Sequence, residues 1–104
     1  MAWKLNNAGA KEVGSMKQAE KTQLNTWMHA VSTGAHPKTE ADKWDSDYEV
    51  LHTKTSTVDD KKGVSIKCCS IRLTQSNRVY FVQVDSVQYV KVLKYGDHSE
   101  PTWP

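Results

Sequence analysis

Two arginines, Arg72 and Arg78, stand inside the most strand-prone part of the chain, residues 70–98. A charged side chain on a half-buried strand is costly unless its head reaches water or an anion, so strands that carry both imply a basic sheet surface. Lys61, Lys62 and Lys67 precede them, and residues 61–80 contain no acid, although the whole chain has a net charge of only +2. A concentrated positive stretch suits a phosphate backbone, through charge neutralisation and counterion release. Taken alone, charge at this level favours an ordinary solvated strand face.

The other reactive residue types exclude more than they suggest. His29, His36, His52 and His98 and the two cysteines show none of the close ligand spacing that zinc requires, so no metal or other cofactor is expected. Cys68 and Cys69 are neighbours whose side chains point to opposite faces of a strand, a poor geometry for a disulfide. Reduced thiols are expected.

The elements that must position these residues follow from pattern. Residues 70–98 are dense in β-branched and aromatic side chains and are punctuated at Ser76-Asn77 and Asp85-Ser86, which predicts an antiparallel meander. Its strands are expected at about 66–73, 78–84 and 87–94. Alternation puts Arg78, Tyr80, Val82 and Val84 on one face and Val79 and Phe81 on the other, one set forming the core. Leu24, Trp27, Met28 and Val31 recur at helical spacing, so residues 19–32 read as an amphipathic helix packed on the sheet, with His29 on its surface. Gly34 and Pro37 end it.

The remaining segments are weaker. Residues 2–5 read as a short strand before Asn6-Asn7, and residues 8–18 as a short helix with Ala10, Val13 and Met16 or Lys17 inward and Gly14 weakening it. Residues 37–47 read as a polar loop anchored by Trp44, residues 48–54 as a strand entering the sheet, and residues 55–63 as a loop tip. The order is a short N-terminal strand, two helices and a three- to four-stranded antiparallel meander, an α+β arrangement. A length of 104 residues with 38% hydrophobic content suits one domain over residues 1–104. No apolar run approaches the ~20 residues of a membrane span, and residues 1–10 lack the order of a signal peptide. A cytoplasmic protein with no membrane partner is expected.

Residues 71–81, Ile-Arg-Leu-Thr-Gln-Ser-Asn-Arg-Val-Tyr-Phe, followed by a hydrophobic strand ending in Lys94-Tyr95-Gly96-Asp97-His98, resemble the C-terminal half of the RelE/ParE superfamily of bacterial toxins. The similarity is strongest over residues 67–103, and the order of the preceding elements is also similar. The resemblance implies the toxin of a toxin–antitoxin pair, held by a cognate antitoxin as a hetero-oligomer or forming a homodimer. RelE-like members cut messenger RNA in the ribosomal A site, whereas ParE-like members inhibit DNA gyrase on much the same fold, and a non-catalytic binding module is a further use of it. The RNase branch implies metal-free chemistry: a base activates the 2′-hydroxyl, cations stabilise the phosphorane-like transition state and an acid protonates the leaving oxygen. By the same resemblance Arg78 is the phosphate-binding arginine, whose planar fork can hold two phosphate oxygens. His98 stands where the general acid is expected, an imidazole with an unperturbed pKa near ~6.5. Arg72, Lys54 and Lys67 would steer or hold RNA, and Trp103 would stack on a base or close the core. His52, Glu49 and Lys54 are the candidates for the base, and nothing in the sequence chooses among them.

Overall fold

The computed structural model describes residues 2–58, 60–74, 77–97 and 99–103. The chain runs β1 (Lys4–Asn6), β2 (Lys11–Val13), α1 (Gln18–Ser32), α2 (Pro37–Ala41), β3 (Glu49–Val58), β4 (Lys61–Arg72), β5 (Arg78–Val84) and β6 (Tyr89–Gly96), with a 3₁₀ turn at Asp85–Val87. It is an α+β fold built on a mixed sheet of six strands in the order β1-β6-β5-β4-β3, with β2 also on β6. The antiparallel part, β3 to β6, matches the expected meander. The sheet is not purely antiparallel, because β1 and β2 both pair with β6 in parallel.

That edge corrects the helix expected over residues 8–18. Gly9 and Gly14 both lie in the left-handed region, with φ of 80° and 77°, and leave too few residues between them for a stable helix. Lys11–Val13 instead takes backbone partners from Lys94, Tyr95 and Gly96. The loop between the two short strands is held by the Asn6 side chain, which accepts from the Ala8 N–H at 2.9 Å, and by the Ala10 N–H to the Asn7 carbonyl at 3.1 Å. Gly96, at φ 127°, is required for the close approach: a Cβ there would sit 1.8 Å from the Val13 carbonyl oxygen.

Three other segments differ from the sequence reading. Pro37–Ala41 is a short helix, started by Pro37 in the first turn and capped by His36, whose Nδ1 accepts from the Lys38 N–H. Most of residues 55–63 extends β3 and β4 into one long hairpin rather than forming a loop tip. Val87 ends a 3₁₀ turn and does not begin β6.

The main core lies between α1 and the sheet. Leu24, Trp27 and Val31 are buried, with Met28 packed beside them, against Cys69, Ile71, Val79, Phe81, Val90 and Val92. Trp27 stacks at a tilt on Phe81, centroids 5.0 Å apart, and its indole N–H donates to the Pro37 carbonyl at 3.0 Å. The sequence reading assigned one set of β5 residues to the core, but both are buried. On the face away from α1, Val82 and Val84 form a second cluster with Val64, covered by Val58, Ile66, Leu93, Tyr89 and Trp103. Cys68 and Cys69 are buried on opposite faces, and burial pushes the Cys69 thiol up to about 11, which keeps it protonated and inert. Among the described residues no helix is long and apolar enough to cross a membrane.

A buried carboxylate ties the start of α1 to the β4–β5 connection. Glu20 accepts from the Lys17 N–H at 2.9 Å, from the Thr74 hydroxyl at 2.7 Å and from the Asn77 amide. Burial works to raise its pKa, but the hydrogen bonds from Asn77, Lys17 and Thr74 prevail and hold it below the ordinary glutamate range. A depressed folded-state pKa adds stability that is complete above the unfolded value and is lost as pH falls through the folded one. Glu20→Gln is therefore expected to lower unfolding free energy at neutral pH by about 1–3 kcal/mol. The gap between variant and wild type should close in acid, as read by urea unfolding at both pH values. Gly96→Ala should cost about 1–3 kcal/mol from overpacking alone, and hydrogen exchange should show the loss concentrated in β1 and β2.

Candidate functional site

The register of β4 on β5 sets Arg72 directly opposite Arg78 and Ser70 opposite Tyr80, and β6 sets Lys94 opposite Tyr80. All five side chains share the face away from α1. Like charges opposed across a ladder repel, and the chain between α2 and β3 supplies the compensation. It is laced to the end of β4: the Trp44 indole N–H donates to the Arg72 carbonyl at 2.8 Å, and the Arg72 N–H donates to the Ser46 carbonyl. This brings Asp45 to 3.7 Å from the Arg72 head and the Asp47 carboxylate to 3.5 Å from that of Arg78.

Arg78 is the better-held of the two. Its side chain is only 11% exposed; Nη2 donates to the Ser70 hydroxyl at 2.9 Å and to the Asp47 carbonyl at 3.0 Å, and Nε approaches the same hydroxyl at 3.3 Å. Asp47 adopts a left-handed φ of 47° to present both groups. Arg72 is looser, with its Nε buried and without a hydrogen-bond partner among the described residues.

Beside the arginines, Lys94 is buried and lies 5.8 Å above the Tyr80 ring. Its ammonium donates to the Asp97 carboxylate at 2.8 Å and to the Ser99 carbonyl. The hydrogen bonds from Lys94 and from the Ser99 N–H hold the Asp97 carboxyl below its usual range. Burial raises the Tyr80 phenol, against the opposing pull of Arg78, so it is protonated at neutral pH. The chain after β6 crosses this face, and Trp103 meets His52 edge-on at 5.5 Å and Tyr80 at 6.2 Å.

The sequence-predicted residues divide accordingly. Arg72 and Arg78 come together, and Trp103 and His52 lie on the same face. Glu49 and Lys54 join them, paired with Ser70 and Ile66, because the irregularity between Val50 and His52 brings Glu49 and His52 to one side. Lys67 does not: it pairs with Gln83 on the α1 face and binds Asp85 at 2.6 Å, within a network that runs through Gln83 to the Tyr48 hydroxyl. His98 lies outside the described residues. Ser70, Tyr80 and Lys94 were missed by the sequence reading, although strand alternation from Arg72 and Arg78 points to the first two. Aligned this way, the face carries two guanidiniums, a phenol, an imidazole, two ammoniums and the Glu49 carboxylate, with Tyr80 and Lys94 buried in it, the residue types that phosphodiester binding and proton transfer use.

No protein-family model matches the chain, and no curated protein matches it. The site therefore stands on its own residues. Replacing both Asp45 and Asp47 by asparagine should leave the arginines opposed without their carboxylates. Since Asp45 is almost fully exposed and Asp47 half so, the cost should be small, up to about 1 kcal/mol for each pair. Millimolar inorganic phosphate should restore the thermal midpoint of that variant more than that of wild type, and an equal effect on both would remove the anion-binding assignment.

Proposed function

We propose that the chain is a RelE-like toxin, a metal-independent endoribonuclease that acts on messenger RNA at the ribosome and is held inactive by an antitoxin. The observation that carries the reading is the cross-strand pair of Arg72 and Arg78 with Tyr80 and Lys94 next to it on one face. The residue resemblance over 67–103 supplies the reaction class, and the face supplies the groups.

In this reading Arg78, fixed by Ser70 and Asp47, clamps the phosphate under attack, and Arg72, whose side chain is 30% exposed, binds a neighbouring oxygen. His52, in edge contact with Trp103 on that face, is the favoured base for the 2′-hydroxyl over Glu49 and Lys54. The acid expected at His98 lies outside the described residues. Tyr80, kept protonated by burial, is a second donor to the leaving 5′-oxygen. Lys67, bound to Asp85 on the other face, has no role at the phosphate.

One observation favours a second reading. Both arginine heads already face carboxylates and Lys94 is bound by Asp97, and the net charge is only +2, which suits a face that docks on a protein such as gyrase rather than one that grips ribosomal RNA. Cleavage of messenger RNA on programmed ribosomes without added metal separates the two. The endoribonuclease reading expects 2′,3′-cyclic phosphate ends. Arg78→Ala and His52→Ala should each lower turnover by roughly 10²-fold or more, and Lys67→Ala should have little effect. Intact messenger RNA together with early arrest of DNA synthesis in an expressing bacterium would overturn it in favour of gyrase inhibition.

A further inference from the structure

The sheet ends at β3, and no described strand pairs with its outer side. Natural edge strands are blunted by brevity, proline, charge or β-bulges, and of these β3 has two irregularities against β4, between Val50 and His52 and between Ser56 and Val58. β3 is ten residues long, contains no proline and carries only Glu49 and Lys54 as charged residues. Val50, beside Glu49, is 44% exposed, and among the described residues it is the one large hydrophobic side chain so exposed. Neither Glu49 nor Lys54 takes part in an ion pair among the described residues.

We propose that β3 is a self-association edge, which pairs antiparallel with β3 of a second copy of this chain about a two-fold axis between Leu51 and His52. The occupant follows from charge. In that register Glu49 lies opposite the partner's Lys54 and Lys54 opposite the partner's Glu49, so the symmetry makes the complementary pair twice. Val50 lies opposite the partner's Thr53. Glu49 and Lys54 are five residues apart and would point to opposite faces of a regular strand. The irregularity between Val50 and His52 puts them on one face, since Glu49 pairs with Ser70 and Lys54 with Ile66. The lysine that would repel most foreign strands is thus matched by this chain's own sequence. A two-fold axis perpendicular to the sheet also keeps the Arg72 and Arg78 faces of both copies on the same side, giving one continuous sheet. The proposal does not rest on the nuclease reading.

Sedimentation velocity over a wide concentration range tests it. Wild type should show a reversible monomer–dimer equilibrium. Lys54→Glu sets like charges opposite one another at both pairs and should weaken dimerisation by about tenfold or more; Glu49→Lys should do the same. The combined Glu49→Lys, Lys54→Glu variant should recover wild-type association, a recovery that a merely misfolded single variant would not give. Hydrogen exchange should show protection of β3 amides that rises with concentration. A chain that stays monomeric at every concentration, a dimer indifferent to both single reversals, or β3 protection seen only with a strand from a different protein would each overturn the proposal.

Discussion

Holding two guanidiniums opposite each other on adjacent strands is the constraint that shapes most of this molecule. The pairing of Arg72 with Arg78 is imposed by the β4–β5 register, which is itself secured by burial of β5 on both faces. Hydrophobic burial therefore forces a repulsive contact that the rest of the chain must relieve. Residues 44–48 do so, because the bonds of Trp44 and Ser46 with the Arg72 backbone lay them over the end of β4 and bring Asp45 and Asp47 to the arginines. The same segment sends Trp44 and Tyr48 into the core on the α1 side, so neutralising the arginines and closing the helical layer are done by one stretch of chain.

The two faces of the sheet have separate chemistry. Toward α1, polar groups are few and tightly bonded: Gln83 is buried between the Tyr48 hydroxyl and Asp85, and Glu20 is saturated by its three donors. These bonds satisfy groups that would otherwise be costly to bury. Away from α1, the charged heads are bonded by carboxylates that are largely or partly exposed and by the segment after β6.

Local pattern made part of this legible. Leu24, Trp27, Met28 and Val31 marked α1 and its inner side, and the β-branched runs marked β4, β5 and most of β6. At the N-terminal edge the short strand before Asn7 was legible and β2 was not: Ala10, Val13 and Met16 fit a helix, and the backbone partners that decide otherwise belong to the far end of the sequence. Asp45 and Asp47 could not be linked to the arginines, since a loop's course is set by tertiary contacts such as Trp44 to Arg72. Lys67 is different. It stands five residues before Arg72 on the same strand, and alternation alone separates the two, so grouping them by charge overrode a geometric signal already present. Glu49 and His52 carry the reverse lesson, since only an irregular register, invisible in sequence, sets them on one side.

The parallel seating of β1 and β2 on β6 has a consequence for the order of assembly. The β3–β4–β5 hairpins are made of contacts close in sequence, whereas β1 meets β6 across nearly the whole chain, and such non-local pairings form late and slowly. During synthesis the N-terminal residues must wait, unpaired, until β6 has left the ribosome. The arginine pair and the carboxylates of residues 44–48 that face it are complete before then, but Lys94 and the segment that binds it are not, so a nascent chain exposes the β5 edge that β6 later covers.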